Sequence, residues 1–217
     1  MRIVLTRPRG QEDELARRLE QRGHSVVRCP LIAVEPLGDD PVDVSGYDWV
    51  VVTSSNGAHE LQRRVRGSLP RVAAIGRATA AVLGGADLVP RVSTQEGLLA
   101  ELPRPAGRVL YAGAEGARRL LVDELDADFV ALYRTRPLRP DTLPEGDLAI
   151  LMSASAARAL GDLAGGLPAV TIGPETTRAA RECGVEVLAE AETHDLDGVL
   201  GAVDRLDSAG WKPGTTS

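Results

Sequence analysis

The feature that most limits how this chain can fold is that it nearly repeats itself. VLTRPRG around Leu5 returns as VLYAGAEG around Leu110, and TSSNGAHEL at Ser54 returns as MSASAARAL at Ser153. AAIGRATAAV at Gly76 is matched by VTIGPETTRAA at Gly173, and STQEGLLAEL at Gly97 by THDLDGVLGAV at Gly198. The spacing stays near about a hundred residues across all of these segments, which predicts duplication of a half-chain unit and two similar lobes facing a cleft.

The halves are built from short β-branched runs at 3–6, 25–28, 49–53, 72–75, 109–112, 149–152 and 169–172. These runs are continuously apolar rather than alternating, the pattern of strands buried on both faces. Between them lie amphipathic stretches with helical spacing at 11–22, 56–65, 115–125 and 176–183. Such alternation predicts an α/β fold, two similar three-layer α/β/α lobes with parallel sheets. Two stretches break the rhythm, CPLIAVEPL at 29–37 and FVALYRTRP at 129–137, each extended and closed by proline. They are expected to pair as a two-stranded linker ladder, a hinge between the lobes.

Composition narrows the function. With 217 residues, 43% hydrophobic and 26% charged, the chain buries a core without disulfide or metal staples. No apolar run approaches the roughly 20 residues of a membrane span, and MRIVLTRPRG reads as a strand rather than a secretory signal, so a cytoplasmic protein is expected. A net charge of -6 opposes nucleic acid and anionic membranes, and 3% aromatic residues cannot build base-stacking platforms. Cys29 and Cys183 read as small core residues. His24, His59 and His194 lack metal-ligand spacing, so no metal site is expected. Dinucleotide, Walker and nucleophile-elbow motifs are all missing from the sequence.

At four places a strand ends in small or hydroxyl residues just as a helix begins. These are Ser54, Ser55 and Asn56 after Thr53; Gly76, Arg77 and Thr79; Ser153 and Ser155; and Gly173 and Thr176. Open α/β sheets bind ligands at such carboxyl ends, where unpaired backbone N–H groups and helix dipoles attract anions. Arg7, just past the first strand, could add a charge-assisted contact. For any single hydroxyl, helix capping is the competing explanation. Taken together, the four ends point to a ligand with several carboxylates or phosphates. Arg63, Arg64, Arg118 and Arg119 sit on helical stretches and are assigned to solvent.

The strings VLTRP, VVTSSNGA, AAIGRATA, LYRTRP and TIGPETTRAA, in this order and over almost the whole chain, resemble the uroporphyrinogen-III synthase (HemD) family. The resemblance implies one discontinuous lobe from 1–30 plus 140–205, a second lobe from 38–127, linker strands at 31–37 and 128–139, and a tail at 206–217. It implies cyclisation of hydroxymethylbilane to uroporphyrinogen III, with inversion of ring D and loss of water, by a lyase that uses no cofactor. Tyr133 in LYRTRP matches the family's cleft tyrosine and is the implied catalytic residue. Thr79, Thr176, Ser54 and Ser153 match its cleft hydroxyls, and with Arg7, Ser55, Asn56, Gly76, Arg77, Ser155 and Gly173 they form the expected substrate-binding set. A monomer is expected, with transient contact to hydroxymethylbilane synthase and none to nucleic acid or membrane. The alternative is a two-lobed small-anion-binding or sensor module without catalysis, because duplicated α/β lobes on a double hinge also describe solute-binding proteins.

Overall fold

Strands and helices alternate along the chain because continuously apolar runs are separated by amphipathic ones. In the computed structural model, which describes residues 1–142, 145–163 and 166–211, the first elements are β1 (Arg2–Leu5), α1 (Asp13–Glu20), β2 (Ser25–Arg28) and β3 (Ile32–Pro36). Next come β4 (Val42–Asp43), β5 (Trp49–Val52), α2 (Ser55–Arg64), β6 (Val65–Arg66), β7 (Arg71–Ala74), α3 (Arg77–Val82) and α4 (Gln95–Glu101). β8 (Val109–Ala114), α5 (Leu120–Leu125), β9 (Asp128–Pro137), β10 (Leu148–Leu151) and α6 (Ala154–Gly161) follow. The described chain closes with β11 (Ala169–Thr171), α7 (Pro174–Glu182), β12 (Val187–Glu190) and α8 (Leu196–Ser208).

The chain divides into two compact units. The first comprises Met1–Ala33 and the chain from Arg136 onward, and the second is Val34–Thr135. In the first, a five-stranded sheet runs β12-β11-β10-β1-β2 with parallel pairing throughout. One face packs Leu15, Leu19, Val199 and Val203 of α1 and α8; the other packs Ala156, Leu160, Ala179 and Ala180 of α6 and α7. The second sheet runs β3-β9-β8-β5-β7, with Ala58 and Leu61 of α2 on one face and Leu98 and Leu121 of α4 and α5 on the other. Each fully buried Leu, Ile or Val in these layers contributes roughly 1.5–3 kcal/mol.

The strand orders explain the repeat. A bridge from Ala73 to Leu88 extends the second sheet beyond β7, so the order from that bridge through β7, β5, β8 and β9 matches β12-β11-β10-β1-β2 position for position. β1 and β2 of the first half-repeat therefore complete the sheet begun by β10–β12 of the second half. Conversely, β8 and β9 of the second half complete the sheet begun by β5 and β7 of the first. Gly97 and Gly198 recur because each sits at the start of a helix with no room for a side chain: a Cβ would lie 2.0 Å from Val92 O at one and 2.0 Å from Thr193 O at the other.

Several elements depart from the sequence reading. The stretch 115–125 is helical only over Leu120–Leu125, because the Glu115 N–H is still engaged by Tyr133 O at 2.8 Å, continuing the β8–β9 ladder. β2 is partly exposed, not buried on both faces, because it is an edge strand. Cys183 is only half-buried, whereas Cys29 is buried. Leu206 to Ser208 belong to α8 rather than to a tail, because Leu206 and Trp211 still pack against the first unit's core; 212–217 lie outside the described residues. Arg64, assigned to solvent by the sequence, is only 7% exposed and donates to the carbonyls of Asp40 and Leu37 at 2.8 and 3.2 Å.

Candidate active site

The turn between β5 and α2 begins where the fully buried WVVV strand meets four residues with polar side chains, Thr53 to Asn56. Ser54 is extended and caps α2, its Oγ accepting the Gly57 N–H at 3.0 Å. The same Oγ lies 2.8 Å from the Tyr133 hydroxyl on β9, while Thr53 Oγ1 lies 2.9 Å from the Tyr111 hydroxyl on β8. Successive strand residues point to opposite faces of a sheet, so the two tyrosines reach this turn from opposite sides. Tyr111 belongs to the core layer with Val51 and Leu98, and Tyr133 to the layer with Val52 and Leu61.

Tyr133 reaches its side through an irregularity. Gly113 pairs with Ala131 but Ala114 pairs with Tyr133, and the skipped Leu132 packs in the same layer as Tyr133. Such a bulge re-aims a side chain at the end of a strand. Tyr133 is 6% exposed, and burial raises its hydroxyl pKa above the ordinary phenol value, with the Ser54 hydrogen bond opposing. Burial raises Tyr111 in the same direction, against the hydrogen bond to Thr53. Both phenols are therefore uncharged hydrogen-bonding groups at neutral pH.

The remaining predicted residues of this unit flank that turn. Ser55 and Asn56 are half-buried in the first turn of α2. Gly76 starts the short α3 with no side-chain cap; Arg77 is exposed, and Thr79 is only 4% exposed. Of the arginines assigned to solvent, Arg118 pairs with Glu96 at 2.7 Å, and Arg119 lies over the Phe129 ring at 4.1 Å.

The carboxyl end of the first sheet is built on the same plan with different side chains. β1 and β10 pair with Leu5 opposite Ile150, so Arg7 and the Met152–Ser153 turn leave neighbouring strands at the same edge. Ser153 caps α6, accepting the Ala156 N–H at 3.2 Å, and sits 3.0 Å from Ser155 Oγ. Arg7 is half-buried; burial lowers its pKa and the charge of Glu12 raises it, but a guanidinium stays cationic. Gly173 caps α7 beneath the His194 ring, and Thr176 in the first turn is 4% exposed. Among the described residues, no group of three or more His, Cys, Asp or Glu is arranged to hold a metal ion, and no helix is long and apolar enough to cross a membrane.

Within each unit, then, the predicted residues gather at one sheet edge: Ser54, Ser55, Asn56, Gly76, Arg77, Thr79 and Tyr133 in the second, and Arg7, Ser153, Ser155, Gly173 and Thr176 in the first. Sequence reasoning missed Tyr111, Gln95 and the part played by Thr53. The repeat held the signal, because matching Leu5 to Leu110 sets Tyr111 against Thr6, another hydroxyl at the end of a buried strand.

The sequence profile of the uroporphyrinogen-III synthase HemD family matches residues 13–201. This chain belongs to the HemD family. It is 24% identical over 250 aligned residues to the uroporphyrinogen-III synthase of Synechococcus elongatus, covering 94% of each chain. It is 31% identical to a relative from Archaeoglobus fulgidus, over 92% of this chain and 96% of that one. HemD-family architecture is matched in crystal structures. A mutant uroporphyrinogen III synthase from Thermus thermophilus aligns with TM-score 0.67 at 20% identity, over 96% of this chain and 99% of that one. The synthetase from Helicobacter pylori aligns with TM-score 0.62 at 18% identity, over 95% and 100%. At those identities the structures support the fold, and the sequence profile carries the family.

Proposed function

We propose that this chain is a lyase acting in the cytoplasm on hydroxymethylbilane, delivered by hydroxymethylbilane synthase, and that it closes the bilane to uroporphyrinogen III with loss of water and inversion of ring D. The observation that carries the chemistry is the Tyr133–Ser54 pair at the carboxyl edge of a parallel sheet in a HemD-family chain. Ser54 Oγ already accepts the Gly57 N–H, and when its own proton is given to the Tyr133 oxygen, the phenol proton is free to face the departing hydroxyl. Tyr133 then acts as a hydrogen-bond donor that assists C–O cleavage and favours an azafulvene cation. A phenol raised above its ordinary pKa by burial is a weak acid, so its contribution is orientation and charge stabilisation rather than bulk proton supply.

Ring D then attacks through its substituted carbon, and the spiro intermediate fragments and recloses inverted. Hydroxymethylbilane also closes unaided to the symmetrical isomer I, so the catalyst must outrun that path. A thousandfold advantage requires about 4 kcal/mol, within reach of conformational positioning plus a few hydrogen bonds. The substrate's acetate and propionate groups supply the anions for the strand-end residues. In this reading Arg7, Ser153, Ser155, Gly173 and Thr176 grip carboxylates at the first sheet's edge, and Ser55, Asn56, Gly76, Arg77 and Thr79 do so at the second's.

The test is direct. Purified protein is mixed with porphobilinogen and its deaminase, the product is oxidised, and the porphyrin isomers are separated. Isomer III in excess over the deaminase-only control is expected; isomer I alone would eliminate the synthase reading and favour anion binding without catalysis.

A further inference from the structure

Tyr111 is completely buried, and a phenylalanine would fill the same place beside Phe129, whose ring meets it edge-on at 5.2 Å, with no polar group to satisfy. A buried hydroxyl is tolerated only when hydrogen-bonded, and this one has two partners, Thr53 Oγ1 at 2.9 Å and Gln95 Nε2 at 3.3 Å. The partners set the direction of the chain of bonds. Gln95 is 9% exposed, and its amide nitrogen also faces the backbone carbonyl of Arg118 at 3.5 Å. A carbonyl can only accept, so the NH₂ end of Gln95 must point this way and donate to Tyr111. The opposite amide oxygen is buried without a partner, a cost that this orientation carries against its two donor contacts.

With its oxygen accepting from Gln95, Tyr111 gives its single proton to Thr53. Thr53 Oγ1 thereby accepts one hydrogen bond and keeps its own proton to donate. Thr53 is half-buried, at the mouth of the turn next to Ser54, and among the described residues its side chain makes no other hydrogen bond.

We propose that Gln95 and Tyr111 are positioning residues that hold Thr53 as an outward hydrogen-bond donor, and that Thr53 binds a carboxylate arm of the substrate beside the Tyr133–Ser54 pair. The proposal rests on the synthase reading above and adds a third hydroxyl beside that pair. A proton held ready at this position favours an acceptor such as a carboxylate.

The test measures KM and kcat for hydroxymethylbilane generated in situ, together with the thermal midpoint of each variant. Tyr111→Phe should raise KM by about tenfold, the loss expected for one hydrogen bond to a charged group, with kcat changed less than twofold. Thr53→Val should raise KM similarly, and Thr53→Ser should recover most of that loss. The double variant Thr53→Val with Tyr111→Phe should be no worse than Thr53→Val alone, because Tyr111 acts only through Thr53. A merely structural tyrosine would lower the thermal midpoint in both backgrounds and leave KM unmoved, which overturns the proposal, as do multiplying KM effects in the double variant. Wild-type protein that makes only isomer I would instead sink the synthase reading on which the proposal stands.

Discussion

Thr6 and Tyr111 occupy equivalent positions in two equivalent sheets, and they do different things. Thr6 is fully buried, and its hydroxyl donates to the Ile150 carbonyl at 2.8 Å, tying β1 to its neighbour β10. Tyr111 ties β8 to its neighbour β5 at the matching edge, but it reaches past the backbone to the Thr53 hydroxyl. In the first unit the hydroxyl at this position thus serves the scaffold itself, and Arg7 stands just beyond it at the same edge. The second turns two tyrosines and two hydroxyls toward one turn. All three tyrosines of the chain, Tyr47, Tyr111 and Tyr133, fall in the second unit. Duplication supplied one frame twice, and the side chains at the two carboxyl edges then diverged.

The frame can be broken first. Gly97→Ala and Gly198→Ala should each cost about 3 kcal/mol or more, since a methyl group 2.0 Å from a carbonyl oxygen forces the backbone apart. Urea titration of both variants should show matched losses; tolerance at one position and not the other would mean that the two helix starts are not equivalent.

A smaller difference should separate the units. A Cβ on Gly173 would stand 2.7 Å from His194 Cδ2, whereas on Gly76 it would meet Ser93 Oγ at an ordinary 3.5 Å. Gly173→Ala should therefore lose about 1–2 kcal/mol and Gly76→Ala a few tenths, read as unfolding midpoints. Equal losses would remove His194 from the account of the first unit's edge.

The smallest effect concerns pH. His24 is buried in the first unit, and burial lowers its pKa. Asp207, 3.2 Å from Nε2, and Asp204 oppose that shift, while the Met1 ammonium and Arg22 reinforce it. A depressed histidine contributes stability that is complete above the ordinary value of about 6.5 and is lost as pH falls through the folded value. Hydrogen exchange should show the first unit loosening before the second as the solution is acidified, and His24→Gln should remove the difference.

Much of this was legible before any coordinates. Two of the repeated string pairs recur for local reasons, because capping and close packing act over a few residues: Ser54 and Ser153 cap by the same hydroxyl geometry, and a carbonyl contact leaves no room for a side chain at Gly97 and Gly198. Parallel sheets were legible from apolar continuity. What stayed hidden depends on partners distant in sequence. Arg64 looked like a solvent residue until the carbonyls of Leu37 and Asp40 closed around it. Tyr111 looked like one more core residue, because its partners Thr53 and Gln95 lie 58 and 16 positions away. The helix within 115–125 is shorter than its amphipathic spacing predicts because the first residue still belongs to a strand ladder.

The claim at the centre is that Tyr133, at the second unit's edge, assists departure of the substrate hydroxyl in the loss of water. Steady-state turnover of Tyr133→Phe, with porphyrin isomers separated in the same samples, tests it most directly. A fall in kcat of about tenfold or more, with isomer III still the product, is the predicted result. Turnover equal to that of the unaltered protein would contradict it.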